Sequence, residues 1–302
     1  MFFSYNFIFL QTKKIEMKIE RKPDWLKIKL ESGANYPLVK KVVEENQLHT
    51  ICGSGKCPNM GQCWSLGTAT FMILGEICTR SCRFCATKTG KPLPLDPEEP
   101  RKIAESISLM KLKHCVITSV DRDDLPDKGA EHWAKTVIAV RKLNPATVIE
   151  LLIPDYEKEH LKIVLASHPD IVAHNLETVE RLTPLVRSKA TYQNSMKVLR
   201  NIAEQGMISK TGIMVGLGET KEEVAILLKE AKEVGCEMVT IGQYLQPSKQ
   251  NVEVTEYVHP DTFEFYKKVA QSLHYKSVES APLVRSSYMA ERSFLNSLIK
   301  KK

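Results

Sequence analysis

No apolar run in this 302-residue chain comes near the ~18 residues of a membrane-spanning helix. With 43% hydrophobic residues, it reads as a well-cored soluble protein with no membrane partner. A secretion signal is missing as well. Such signals put positive charge before an apolar stretch, whereas in MFFSYNFIFLQTKK the lysines follow it. Residues 1–16 therefore read as an over-extended start ahead of Met17, in preference to an amphipathic anchor. There is no dense stripe of basic and aromatic residues, so nucleic acid is not expected as a partner. The net charge of +7 is scattered lysine: a solvated surface first, a face for an acidic partner second. No low-complexity segment or linker divides the chain. Most telling is the lack, twice, of a fourth cysteine.

ICTRSCRFC spaces Cys78, Cys82 and Cys85 as C-x₃-C-x₂-C, and CGSGKCPNMGQC spaces Cys52, Cys57 and Cys63 as C-x₄-C-x₅-C. Eight cysteines without a secretion signal point to a reducing, cytoplasmic setting. Six of them lie between Cys52 and Cys85, which reads as ligands rather than disulfide partners. Tetrahedral zinc and cubane iron–sulfur sites want four ligands. A zinc site completed by a distant histidine is the plain alternative, but zinc sites usually show paired C-x₂-C knuckles. Three thiolates can hold three corners of a 4Fe–4S cubane and leave one iron open to a small chelating molecule. Cys115 and Cys236 open strands and read as small buried hydrophobes.

From about residue 68 the chain alternates short β-branched runs with amphipathic helical stretches. The strands are TATFMIL, CVITS, TVIELLI, DIVAH, TGIMV and MVTIG. Asp96 with Glu99, and Thr220 with Glu223, are candidate capping boxes, and Gly206 and Gly235 close two helices. The alternation implies an α/β fold with a parallel sheet: a partial (β/α)6 TIM-type barrel over 68–280. An N-terminal extension (1–67) precedes it and a C-terminal tail (281–302) follows. The three-cysteine loop, SVDRDD, HNLET, GLGET and GQYLQPS all fall after strand ends, on the rim where such barrels assemble sites.

Cys78-Thr-Arg-Ser-Cys82-Arg-Phe84-Cys85 resembles the signature of the radical S-adenosylmethionine (SAM) superfamily. The resemblance implies that SAM supplies the missing fourth ligand and, after one-electron cleavage, a 5′-deoxyadenosyl radical. The second triplet, with CPNMGQCW and the C-terminal RSSYMA, resembles the lipoyl synthase family, and matching blocks run from about Lys22 to Ala290. That resemblance implies two 4Fe–4S clusters, the auxiliary one on Cys52, Cys57, Cys63 and Ser286. It implies SAM contacts at Phe84, Ser119, Asn175, Glu177, Gly212, Gly216 and Glu219, with Met214 where isoleucine is usual. Asn, Glu and Gly at strand ends also serve as plain turn and cap residues. Arg122, Asp123 and Arg285 are candidates for positioning substrate, although Arg122, Asp123 and Asp124 can equally pair with one another.

The implied reaction inserts sulfur at carbons 6 and 8 of an octanoyl-lysine on a carrier protein, using two SAM molecules and consuming the auxiliary cluster. The extension and the tail should then meet over the barrel mouth. The implied partners are octanoylated lipoyl-carrier domains (2-oxoacid dehydrogenase E2 subunits and the glycine cleavage H protein), an electron donor such as ferredoxin or flavodoxin, and an iron–sulfur carrier. Competing readings are a sulfur-inserting radical enzyme acting on biotin precursors or transfer RNA, a non-catalytic iron–sulfur carrier, and a structural zinc protein.

Overall fold

Strand β2 (Thr70–Ile73) starts the parallel sheet, buried along its whole length. The structure, a computed structural model, describes residues 22–27, 33, 35–66, 68–288 and 290. The reading of Met17 as the start lies outside the described residues. Beside β2, in order, run β5 (His114–Ser119), β6 (Val148–Leu152), β7 (Ile171–Ala173), β8 (Ile208–Val215), β9 (Met238–Gln243) and β10 (Ser277–Ser280), all parallel. Strand β10 is a seventh parallel strand, one more than the six expected. β10 reads SVES, with one buried residue and three half-buried ones, and has no apolar run to announce it. A short β1 (His49–Thr50) pairs antiparallel with β2, and β3 (Ile77–Cys78) pairs with β4 (Lys88–Thr89) inside the cysteine loop. The sheet ends at β1 and β10, so the barrel stays open.

The helices between strands are α4 (Glu99–Leu109), α5 (Ala130–Leu143), α6 (Lys158–Leu165), α7 (Thr183–Val186), α8 (Tyr192–Glu204), α9 (Lys221–Glu233) and α10 (Pro260–Ser272). The extension carries α1 (Tyr36–Glu45), α2 (Ile51–Ser54) and α3 (Met60–Ser65). The Thr220–Glu223 box is present at α9. Asp96 does accept from the backbone N–H of Glu98, but Glu99 does not reach back to it. Instead Glu99 accepts from the Leu74 N–H and from His132. A tertiary bond has displaced the local one.

Successive strand residues face opposite sides. On one side of β5 and β6, Cys115, Ile117, Ile149 and Leu151 are fully buried with the helices. On the other side His114 and Glu150 are buried as polar residues. Lys210 of β8 reaches Glu150 at 2.5 Å, past the intervening β7, and His114 holds the other carboxylate oxygen at 3.1 Å. This buried polar cluster lies inside the barrel, below the rim.

Candidate functional site

The cysteine loop begins at Leu74, an apolar residue in the left-handed region (φ 69°) directly after β2. Such a conformation costs about 1–3 kcal/mol and persists only where its surroundings impose it. Here Glu99 accepts from the Leu74 N–H at 2.8 Å and Arg122 donates to the Leu74 carbonyl at 3.1 Å. Gly129 lies against the Leu74 side chain, where a Cβ would come within 2.7 Å. Arg122 also grips Asp124 through Nε and Nη2, both at 2.9 Å. Of the two uses weighed for the charged loop, the geometry displays pairing.

Beyond Leu74, Cys78 accepts from the backbone N–H groups of Arg80 (3.4 Å) and Asp121 (3.3 Å). Cys85 accepts from the Thr87 N–H at 3.4 Å, and Cys82 lies 3.5 Å from the Ser188 hydroxyl. Arg80, unmarked by any pattern in the sequence, is the buried strut of the loop. Its guanidinium pairs with Asp123 at 2.8 Å and Asp121 at 3.3 Å, and with Asp155. Asp123, a candidate substrate residue, is thereby held by Arg80 and Lys189. Burial pushes the Cys78 thiol up to about 11, reinforced by the Asp121 carboxylate, and Cys85 is raised by burial and by nearby Cys82.

The second triplet also gathers. Burial pushes Cys63 up to about 12, with Cys52 and Cys57 adding to it, and Cys57 is raised by burial and then by Cys52. Without metal these thiols are therefore protonated, and ligation would release their protons. Among the described residues no group of Cys, His, Asp and Glu closes to the spacing of one metal ion. Two triplets of thiols, each from one stretch of chain, fit a polynuclear cluster by donor chemistry.

The C-terminal segment runs between the extension and the rim. Asn59 donates to the Leu283 carbonyl at 2.7 Å and Tyr288 to Gln62 at 3.3 Å. Gly242 at the end of β9 admits this segment: a Cβ there would sit 2.0 Å from the Val284 carbonyl oxygen. Arg285 is driven down by burial while the Cys57 thiol acts in the other direction, which places its guanidinium by that triplet. Asn175 Nδ2 donates to the Ser286 hydroxyl at 2.7 Å. Ser287 accepts from Thr70 at 2.8 Å, and Thr70 in turn touches Cys52.

On the rim, Ser119 Oγ, Asn175 Oδ1 and Arg187 Nε are buried without hydrogen-bond partners. Buried polar atoms of native proteins are nearly always satisfied, so orphans at a strand end call for a ligand. Glu177 sits among them in the left-handed region (φ 68°), clamped by its N–H to Gly212 O and by the Met214 N–H to its own carbonyl. Burial raises its carboxyl, against the pull of Arg187. Gly212 has no room for a Cβ, which would meet Asn175 Oδ1 and Thr240 Oγ1 at 2.8 Å. The three unsatisfied atoms, beside a Glu177 carboxylate that Asn175 and Arg187 already engage, suit a zwitterion such as the methionyl end of SAM.

Of the remaining expected residues, Phe84 lies in the cysteine loop and Gly216 and Glu219 follow β8. Glu219 accepts from the N–H groups of Gly216 (2.6 Å) and Leu217 (2.9 Å), fixing a turn in which Gly216 has φ 96°. Phe84 and Met214 pack on the same apolar cluster as Val252 and Val254. A long strap, residues 244–258, follows β9. The fully buried Gln243 ties it down, donating to Glu256 O at 2.9 Å and accepting from Val258 N at 2.8 Å. Asn251 then carries it to the cysteine loop, donating to Arg83 O and Cys85 O.

A family model described as the radical SAM superfamily matches residues 72–231. The chain is 60% identical over 274 residues to a lipoyl synthase of Parabacteroides distasonis, covering 90% of this chain and 98% of that one. It is 52% identical to a lipoyl synthase of Treponema denticola, covering 92% and 96% respectively. Among solved structures, a methylornithine synthase superposes with a TM-score of 0.54 at 13% identity, covering 80% of this chain and 74% of that one. At that identity the likeness is one of fold.

Proposed function

This chain belongs to the lipoyl synthase family of the radical SAM superfamily, and we propose how its residues share the work of inserting two sulfur atoms into a protein-bound octanoyl chain. It is a radical SAM sulfurtransferase, with a 4Fe–4S cluster and S-adenosylmethionine as cofactors. Cys78, Cys82 and Cys85 would hold that cluster. Ser119, Asn175 and Glu177 would take the methionyl end of SAM, and Phe84, Gly212, Gly216 and Glu219 would shape its adenosyl side. When bound, cluster and SAM together supply the one-electron chemistry that makes a carbon radical able to remove hydrogen from an unactivated carbon.

Cys52, Cys57, Cys63 and Ser286 would hold a second 4Fe–4S cluster, which enters the reaction as the sulfur-giving substrate. A serine oxygen is a weak ligand beside thiolates, and weakness at one corner suits a cluster that has to come apart. Arg285, electrostatically coupled to Cys57, would bring positive charge toward the thiolates and so help hold a cluster of net negative charge. Arg122 and Asp123 act on substrate only through the loop they brace. The octanoylated lipoyl-carrier domains, a low-potential donor such as ferredoxin or flavodoxin, an iron–sulfur carrier for rebuilding the auxiliary cluster, and a cytoplasmic location complete the reading. Among the described residues no helix is long and apolar enough to cross a membrane.

The observation that carries this reading is the tail. Arg285 is electrostatically coupled to the Cys57 thiol while the adjacent Ser286 accepts from Asn175 on the barrel rim. One dipeptide therefore joins the thiol triplet of the extension to the proposed SAM pocket. This is the placement required if hydrogen abstraction and sulfur donation act on the same carbon.

The test is an anaerobic single turnover with both clusters reconstituted, SAM, a reductant and an octanoyl-lysine peptide, followed by mass spectrometry. A peptide that gains two sulfurs as the dithiol, or becomes two hydrogens lighter once that dithiol is oxidised to the cyclic disulfide on work-up in air, with 5′-deoxyadenosine released, is the expected result. Release of 5′-deoxyadenosine with the peptide unchanged would overturn the substrate assignment and leave the radical chemistry standing.

A further inference from the structure

The three thiols of the rim triplet have different hydrogen-bond environments. Cys78 and Cys85 take theirs from close neighbours in the chain or from the adjoining strand end: Arg80, Asp121 and Thr87. The hydrogen-bond partner of Cys82 is Ser188, 106 positions away, with its hydroxyl 3.5 Å from the sulfur. Ser188 lies between α7 and α8, a segment with no strand or helix to place it. Ser188 itself is exposed, but its neighbours in the chain are tied down. Arg187 donates to Asn175 O at 3.1 Å and to Ser195 Oγ at 2.9 Å. Lys189 pairs with Asp123 at 3.3 Å. Two positions before Ser188, the Val186 carbonyl accepts from the Arg83 N–H at 2.8 Å, so the segment is pinned beside Cys82 itself.

In the free protein either Cys82 or Ser188 can donate. Once Cys82 ligates a metal its sulfur carries no proton, and the hydroxyl becomes the only possible donor. A donor to a cluster thiolate favours the more negative, reduced state, because the added electron density is shared with the bonded sulfur. We propose that Ser188 is a positioning residue for the proposed rim cluster, donating a hydrogen bond to Cys82 that makes the cluster easier to reduce. The inference rests on the assignment of Cys78, Cys82 and Cys85 to that cluster. It adds a control that no neighbouring strand supplies: the α7–α8 segment, which also touches Asn175 and Asp123, reaches the cluster's electronics directly.

The test uses the full chain with both clusters reconstituted. A redox titration monitored by electron paramagnetic resonance follows the reduced signal that shifts when SAM is added. Ser188→Ala should lower the reduced-to-oxidised ratio of that signal at a fixed potential by about threefold to tenfold. Ser188→Thr, which keeps the hydroxyl, should restore most of the wild-type ratio. Iron content should be unchanged in both variants. An unchanged ratio in Ser188→Ala would overturn the proposal while leaving the cluster assignment intact. Loss of iron in Ser188→Ala that Ser188→Thr does not repair would overturn it too, in favour of a purely structural contact. If no signal in the wild-type chain responds to SAM, the assignment of the triplet falls and the proposal falls with it.

Discussion

Asn175 Nδ2 donates to Ser286 Oγ at 2.7 Å across a sequence separation of 111 residues. This bond joins the end of β7 to the C-terminal segment and leaves Asn175 Oδ1 buried without a partner. One amide thus faces both halves of the proposed reaction.

The two serines of the tail should separate in their effects. Ser286→Ala is expected to cut sulfur insertion by more than about tenfold while SAM cleavage continues, since the auxiliary cluster alone loses a ligand. Ser287→Ala should change little. Product and 5′-deoxyadenosine are counted in the same anaerobic samples. If Ser287→Ala is the damaging change, the route through Thr70 to Cys52 identifies the ligand instead.

Gly242→Ala tests the seat of the tail. The new Cβ would lie 2.0 Å from a backbone oxygen, which cannot swing aside as a flexible side chain would. The segment around Val284 must lift, at a cost of roughly 1–3 kcal/mol. Iron analysis should find the auxiliary cluster depleted and the rim cluster retained. Full occupancy of both would show that the tail does not need this seat.

Arg122→Met distinguishes bracing from substrate positioning. It takes the partner from the exposed Asp124 carboxylate and strands the buried Leu74 carbonyl, and leaving that buried acceptor unsatisfied costs about 1–3 kcal/mol. Thermal stability and iron retention in the rim cluster should fall before any change in apparent KM for the octanoyl peptide. A raised KM at unchanged stability would restore the substrate role.

Inside the barrel, burial pushes the Glu150 carboxyl up, but the Lys210 ammonium and His114 outweigh it and hold it below the usual carboxylate value. A depressed carboxylate contributes stability that is present above its unfolded pKa, about 4.3, and disappears as pH falls through the lower folded value. Denaturant unfolding of wild type should therefore weaken below about pH 4.3 from this source. Lys210→Met removes the partner and should cost about 3–5 kcal/mol at neutral pH. Adding Glu150→Gln should recover part of that loss, because no charge is then left buried alone. A double variant no better than the single would show that packing, not charge, sets the cost.

Sequence spacing alone was enough to recognise the two triplets and the six strands from TATFMIL to MVTIG, because thiol ligands and buried parallel strands both need contiguous local patterns. The Thr220–Glu223 box was legible for the same reason: its partners are three residues apart. Tertiary structure decided the rest. Glu99 left its expected local cap for Leu74, and the polar strand β10 was revealed only by pairing with β9. Arg80, Gln243 and Ser188 act on partners 75, 13 and 106 residues distant, and no periodicity or spacing encodes those contacts. Which thiols lie together follows from short loops; what braces, orients and tunes them follows from how far-separated strands and straps are brought to one rim.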